Sequence, residues 1–293
     1  MGGEMQIDKT ALVLQGGGTR GAFTSGVLDV FMENGLRFSY VIGTSAGALN
    51  GLNYVSGDVG RGKKVCTEIL FDPKFCSFRN RIFRGGAFNF TYLFHTLPQT
   101  TLPFNSAAYN ASTCRFFCVA TSLSTGQVAY FQKGVCNEFY KALAASSSLP
   151  LISKPVTVLG EKYLDGGVVC PVPYQKPLDD GFEKLVMVMT RPRGYRRRKM
   201  SLKLRFAGWL FYHRKREFMK SYRITNGFYD QAYIDAERLE NEGKALVIYP
   251  PEHIHVGRIE KRAENIEALY QAGRECALAR LAEIKAFTEE KHE

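Results

Sequence analysis

The chain is 293 residues long, 45% hydrophobic and 23% charged, with a formal net charge of +11, enough to bury a sizeable core as one large domain or two small ones. No apolar run approaches the roughly 18 residues of a spanning helix, and Met1 to Thr10 is polar rather than signal-like, so a cytoplasmic protein is expected. Seven cysteines with no C-x-x-C pair, the closest being Cys114 and Cys118, argue against a disulfide framework or zinc site and for buried free thiols.

In chain order, Ala11 to Gln15 reads as a short buried strand, and Thr19 to Glu33 follows with helical spacing, stopping at Asn34-Gly35. Phe38 to Ile42 is a second strand, after which Gly43 to Gly47 leads into an Ala- and Leu-rich helix. Arg61 to Phe71 reads as helix, and Arg79 to Asn110, rich in Gly, Pro and aromatics, as an irregular covering region. Arg115 to Thr121 and Gln127 to Phe131 are strands about a turn at Ser124-Thr125-Gly126, and Glu138 to Ala145 is a helix that stops before Pro150. Val156 to Leu164 is a hairpin through Gly160 that runs into Asp165-Gly166-Gly167. Leu185 to Thr190 and Ala245 to Tyr249 are further strands, and Glu260 to Lys291 is a charged terminal helix. Alternating strands and helices predict a layered α/β fold with a mostly parallel sheet. No repeat or linker divides the chain, so 1–293 is expected to form a single domain.

Two glycine-rich stretches follow strands. The first, LVLQGGGTRGA from Leu12 to Ala22, contains Gly16-x-Gly18-x-x-Gly21, the spacing of a dinucleotide-binding turn. That reading needs an acidic residue about twenty positions on, at the end of the second strand, to hold ribose hydroxyls. Here Asp29 and Glu33 fall inside the intervening helix, and the strand end delivers Gly43 and Ser45 instead. Gly43-x-Ser45-x-Gly47 has the spacing of a nucleophile elbow, a tight strand-to-helix turn that presents its serine. A serine hydroxyl needs a base within hydrogen-bond reach, and its attack on an ester creates an oxyanion best held by preorganised N–H donors. The amides of Gly16, Gly17 and Gly18, at the mouth of one strand and the start of the next helix, suit that anion.

Gly16-Gly17-Gly18-Thr19-Arg20-Gly21, Gly43-Thr44-Ser45-Ala46-Gly47 and Asp165-Gly166-Gly167, in this order and spacing, resemble the bacterial-type patatin-like phospholipases. Val119-Ala120-Thr121, Gly126 and Ala145 to Pro150 are smaller matching blocks, and the resemblance spans roughly residues 8 to 190. It implies a three-layer α/β/α sandwich and a Ser–Asp dyad without a catalytic histidine. By the same resemblance Ser45 is the nucleophile and Asp165 the base. Gly16 to Gly18 form the oxyanion hole, with Arg20 and Gly21 beside it, and Gly43, Gly47, Gly166 and Gly167 support the motifs. The implied reaction is hydrolysis of a phospholipid or lysophospholipid acyl ester through an acyl-serine, with no metal or other cofactor.

Two features admit other readings. Ser45, Asp165 and His253 or His255 stand in the chain order of a Ser-Asp-His triad, although the glycine loop lies closer to the serine than triad enzymes place it. His95, His213 and His292 read as surface or loop residues. Arg191 to Lys220 holds eight Arg and four Lys against one acid, Glu217, and carries the whole net charge. Leu202, Phe206, Trp209 and His213 fall there at helical spacing, so this stretch of the 191–293 extension suits peripheral contact with an anionic inner membrane surface. No nucleic acid is expected. A non-catalytic lipid- or nucleic-acid-binding module on the same scaffold is the competing class of function.

Overall fold

The computed structural model describes residues 4–77 and 88–289. A small parallel pair, β1 (Met5–Ile7) and β3 (Leu36–Phe38), sits apart from the main sheet. The main sheet has a parallel core of β2 (Thr10–Leu14), β4 (Tyr40–Thr44), β5 (Arg115–Ser122), β9 (Lys184–Val188) and β10 (Ala245–Ile248), ordered β10-β9-β2-β4-β5. Antiparallel strands β6 (Val128–Gln132) and β8 (Glu161–Asp165) pair with β5, and β7 (Val156–Val158) pairs with β8.

Period-two alternation builds the layers. On β2, Leu12 and Leu14 face one apolar core while Ala11 and Val13 face the other. The first core is covered by α1 (Gly21–Glu33), α2 (Ala46–Val55), α5 (Phe139–Ser146) and α10 (Ala263–Ala279), through residues such as Phe23, Leu52, Leu143 and Leu269. The second is covered by α9 (Thr225–Asn241), through Ala232, Tyr233, Ala236 and Leu239. Helices on both faces explain why the parallel strands are apolar throughout. The result is the three-layer α/β/α arrangement.

Shorter helices complete the chain: α3 (Arg61–Thr67), α4 (Ser106–Ala111), α6 (Gln175–Asp179), α7 (Leu202–Tyr212), α8 (Arg216–Arg223) and α11 (Leu281–Thr288). The terminal helix expected over 260–291 is broken at Arg280, whose guanidinium donates to the Val247 carbonyl on β10 at 2.7 Å and draws the chain onto the sheet edge. Of the irregular region expected over 79–110, residues 79–87 lie outside the described residues. The rest forms short helical turns and most of α4, and its Phe90, Leu93 and Leu97 pack with Ile69 and Phe75 in a separate apolar cluster. All seven cysteines are free thiols. Among the described residues no helix is long and apolar enough to cross a membrane.

Candidate active site

The end of β4 turns directly into α2 at Ser45, whose φ of 55° and ψ of −122° lie outside the regions an L-residue prefers. Such a conformation costs about 1–3 kcal/mol and persists only where its surroundings enforce it. The flanking glycines show how. A Cβ on Gly43 would stand 2.5 Å from the Gly47 carbonyl carbon, and one on Gly47 would stand 2.4 Å from the Leu14 carbonyl oxygen. Gly43 is pressed against the start of α2 and Gly47 against the end of β2, so closely that only hydrogen fits at either position. The Ser45 N–H donates to Ser146 Oγ at 2.9 Å.

Strand register delivers Asp165. β4 pairs with β5 as far as Thr44 opposite Val119, and β8 pairs with β5 from Asp165 opposite Ala120. β6 occupies Phe117 to Thr121 on the other edge, so β8 takes over from β4 on the same edge. Ser45 and Asp165 therefore meet where one neighbour hands over to the next. Ser45 Oγ donates to Asp165 Oδ2 at 2.7 Å, and the Gly167 N–H donates to Oδ1 at 2.7 Å. The backbone of Asp165 is pinned too, its N–H donating to the Ser148 carbonyl and its carbonyl accepting from Thr121 Oγ1. Burial pushes its carboxyl above the ordinary carboxylate range, opposed by the Ser45 hydroxyl, the Arg258 charge and the Gly167 amide.

The glycine loop lies alongside, since a Cβ on Gly16 would stand 3.3 Å from Ser45 Cβ. Its three amides are not equivalent. The Gly16 N–H donates to the Pro171 carbonyl at 3.0 Å, and the Gly16 carbonyl accepts from Thr190 Oγ1. The Gly17 and Gly18 N–H groups have no hydrogen-bond partner among the described residues. Gly21 packs on the start of α2, a Cβ there lying 2.9 Å from Ala46 Cβ, and Gly166 on β5, where a Cβ would lie 2.3 Å from the Val119 carbonyl oxygen. Arg20 is buried behind the loop, and its Nε has no partner. Burial, with Arg191 and Arg258 nearby, lowers its pKa to about 10.

Two cavities meet at Ser45. One, of about 110 Å³, is apolar and lined by Leu49, Val65, Cys66, Phe75, Phe90 and Leu93. The other, of about 750 Å³, is lined by Gly17, Gly18, Asp165, Arg191, Arg197 and Arg258 among others. His253 and His255 are exposed, and the hydrogen bonds of Ser45 Oγ and the Asp165 carboxylate run to each other and to Gly167, so neither histidine joins them. Among the described residues no three His, Cys, Asp or Glu side chains are grouped to hold a metal. Sequence reasoning missed Ser146, Thr190 and Arg258 as members of this site; the signal for Arg258 was only its place in the loop after a strand.

A family model described as patatin-like phospholipase matches residues 12–176, which contain both Ser45 and Asp165. The chain belongs to the patatin-like phospholipase family. A second model, a domain of unknown function (DUF6363), matches residues 216–289. The uncharacterized protein YjjU of Escherichia coli (strain K12) is 27% identical over 295 residues, covering 98% of this chain and 81% of YjjU. Lysophospholipase nte1 of Aspergillus terreus is 28% identical over 183 residues, or 57% of this patatin-like chain but 11% of the fungal protein. VipD from Legionella pneumophila shares the fold, with a TM-score of 0.53 at 14% identity over 94% of this chain and 67% of VipD.

Proposed function

We propose that this patatin-like protein is a serine lipid acyl hydrolase that cleaves phospholipid or lysophospholipid acyl esters through a Ser45–Asp165 dyad. The observation that carries this reading is the 2.7 Å hydrogen bond from Ser45 Oγ, held on a strained elbow, to a buried carboxylate. Asp165 takes the hydroxyl proton as Ser45 Oγ bonds to the ester carbonyl carbon. The oxyanion faces the free Gly17 and Gly18 amides, with Gly16 holding the loop rather than donating. Collapse expels the alcohol, which takes the proton from Asp165 and leaves an acyl-Ser45. Asp165 then deprotonates water, and its attack releases the fatty acid and restores the Ser45 hydroxyl. The acyl chain lies in the apolar cavity and the head group in the larger, basic one.

Residues 8–190 serve as the catalytic core, and 191–293 complete the head-group side. α7 supports peripheral contact with an anionic membrane surface: Leu202, Leu204, Phe206, Trp209, Leu210 and Phe211 are all exposed on it, flanked by Lys203, Arg205, Arg214, Lys215 and Arg216. Apolar side chains that face water beside cations match the boundary between acyl chains and anionic head groups.

The test is covalent labelling with a fluorophosphonate, read by intact mass and peptide mapping. One adduct on Ser45, absent in Ser45→Ala, is the expected result. A folded protein that takes no label would favour the non-catalytic binding module.

A further inference from the structure

Four guanidinium groups converge around the glycine loop and outnumber the nearby Asp165 carboxylate. Arg191 and Arg258 lie close enough to Arg20 to repel it, and Arg258 does the same to Arg197. Among the described residues none of the four forms an ion pair, whereas neighbouring Arg193 and Arg196 are tied to Glu240 and Glu237. Their contacts are aromatic instead: Arg197 lies 4.5 Å from the Tyr229 ring centroid, Arg191 lies 4.9 Å from that of Tyr195, and Arg258 donates to the Tyr229 hydroxyl. The Nε atoms of Arg20 and Arg191 are buried without partners. Among the described residues Asp165 offers them a single buried carboxylate, which interacts with Arg258 and Arg197 while also accepting from Ser45 and Gly167. Arg20 is buried and the other three are half-buried; four cations against one carboxylate, partly shielded from water, are costly unless a further anion joins them.

That anion has a place to sit. Arg191, Arg197 and Arg258 line the larger cavity that also contains Ser45 and Asp165. We propose that these three arginines, backed by Arg20, bind the phosphate of the substrate's head group and select lipids of net negative head-group charge over zwitterionic ones. That the phosphate belongs to a substrate rests on the hydrolase reading; the phosphate site itself does not. Guanidinium forks match phosphate oxygens in pairs, which ammonium groups do not. A choline or ethanolamine cation on the same phosphate would lie in the same positive field and lose what the phosphate gains. All three residues lie beyond the segment that matches the patatin-like model, so the chain's C-terminal part supplies the selectivity.

The experiment uses the full chain carrying Ser45→Ala and titrates three probes by calorimetry: dihexanoylphosphatidic acid, dihexanoylphosphatidylcholine and inorganic phosphate, the lipids kept monomeric. The phosphatidic acid should bind at least about tenfold tighter than the phosphatidylcholine, an advantage of the size charge-assisted hydrogen bonds supply. Arg191→Gln with Arg258→Gln should remove that preference, and Arg191→Lys with Arg258→Lys should restore part of it. Arg197→Gln is the substitute if the double variant fails to fold. Equal affinity for the two lipids, or a preference that survives both Gln variants, overturns the proposal. Inorganic phosphate binding as tightly as phosphatidic acid overturns it as well, marking a site for free phosphate. Ester hydrolysis by the wild-type chain is read separately. Hydrolysis without the preference defeats this inference alone, and the preference without Ser45-dependent hydrolysis defeats the hydrolase reading alone.

Discussion

Thr19 is tied to the loop that carries Arg258. Its N–H donates to the Arg258 carbonyl at 3.0 Å, its hydroxyl donates to the Gly257 carbonyl at 2.8 Å, and the Glu260 N–H donates back to that hydroxyl at 3.2 Å. The glycine loop of the patatin-like segment is thus clamped by a segment more than two hundred residues away. Thr19→Val keeps the shape and deletes both hydroxyl bonds, leaving a carbonyl and an amide unsatisfied at roughly 1–3 kcal/mol. If the loop serves the proposed hydrolysis, Thr19 acts through position alone, so kcat should fall more than KM rises on a soluble ester. An unchanged denaturation midpoint with unchanged kinetics would remove the clamp from the account.

Ser45→Ala should abolish ester hydrolysis, and Asp165→Asn should lower kcat by at least about a hundredfold, the low end for loss of a general base. The double variant His253→Ala, His255→Ala should retain wild-type rates, because both side chains are exposed and the Ser45 hydroxyl bonds to Asp165 instead. Hydrolysis of p-nitrophenyl butyrate by the folded variants decides. Collapse of activity in the histidine variant would restore the triad.

In the proposed mechanism Asp165 has to be ionised to accept the serine proton, and burial raises its pKa. Activity should therefore rise with pH and level off, with a midpoint above the roughly 3.9 of an ordinary aspartate. The Arg258 charge pulls that pKa down, so Arg258→Gln should move the acid limb to higher pH. A pH profile of kcat/KM checks both signs, and a limb that stayed put would separate Arg258 from Asp165.

Gly47→Ala would place a methyl group 2.4 Å from the Leu14 carbonyl and 2.8 Å from that of Gln15. Neither backbone atom can swing away as a side-chain end could. The cost should be about 1–3 kcal/mol, the usual range for overpacking, together with loss of activity as the elbow shifts. Urea denaturation measures the first; a variant as stable as wild type would contradict the close contact.

Phe206→Asp with Phe211→Asp should release the chain from anionic vesicles, since both rings are exposed on α7. Co-sedimentation with phosphatidylglycerol vesicles should drop steeply, and hydrolysis on vesicles should drop further than hydrolysis of a soluble ester. Vesicle binding that withstands the substitutions would assign α7 to another role.

What the sequence determined by itself was local. An elbow at Gly43-Thr44-Ser45-Ala46-Gly47 and a turn at Asp165-Gly166-Gly167 are legible because crowding over a few residues dictates which positions must be glycine. The alternation of apolar strands and helices was legible for the same short-range reason. The tertiary structure decided what depends on register and on chain segments far apart. Ser45 reaches Asp165 because β8 takes over from β4 along β5, a matter of which residue stands opposite Ala120. Nothing in the sequence separates Gly16 from Gly17 and Gly18; in the fold the Pro171 carbonyl occupies its amide. The sequence displayed a surplus of arginine over 191–220 as a property of one segment. Only the fold brings Arg191 and Arg197 to Arg20 and Arg258, because charges meet through space and not along the chain.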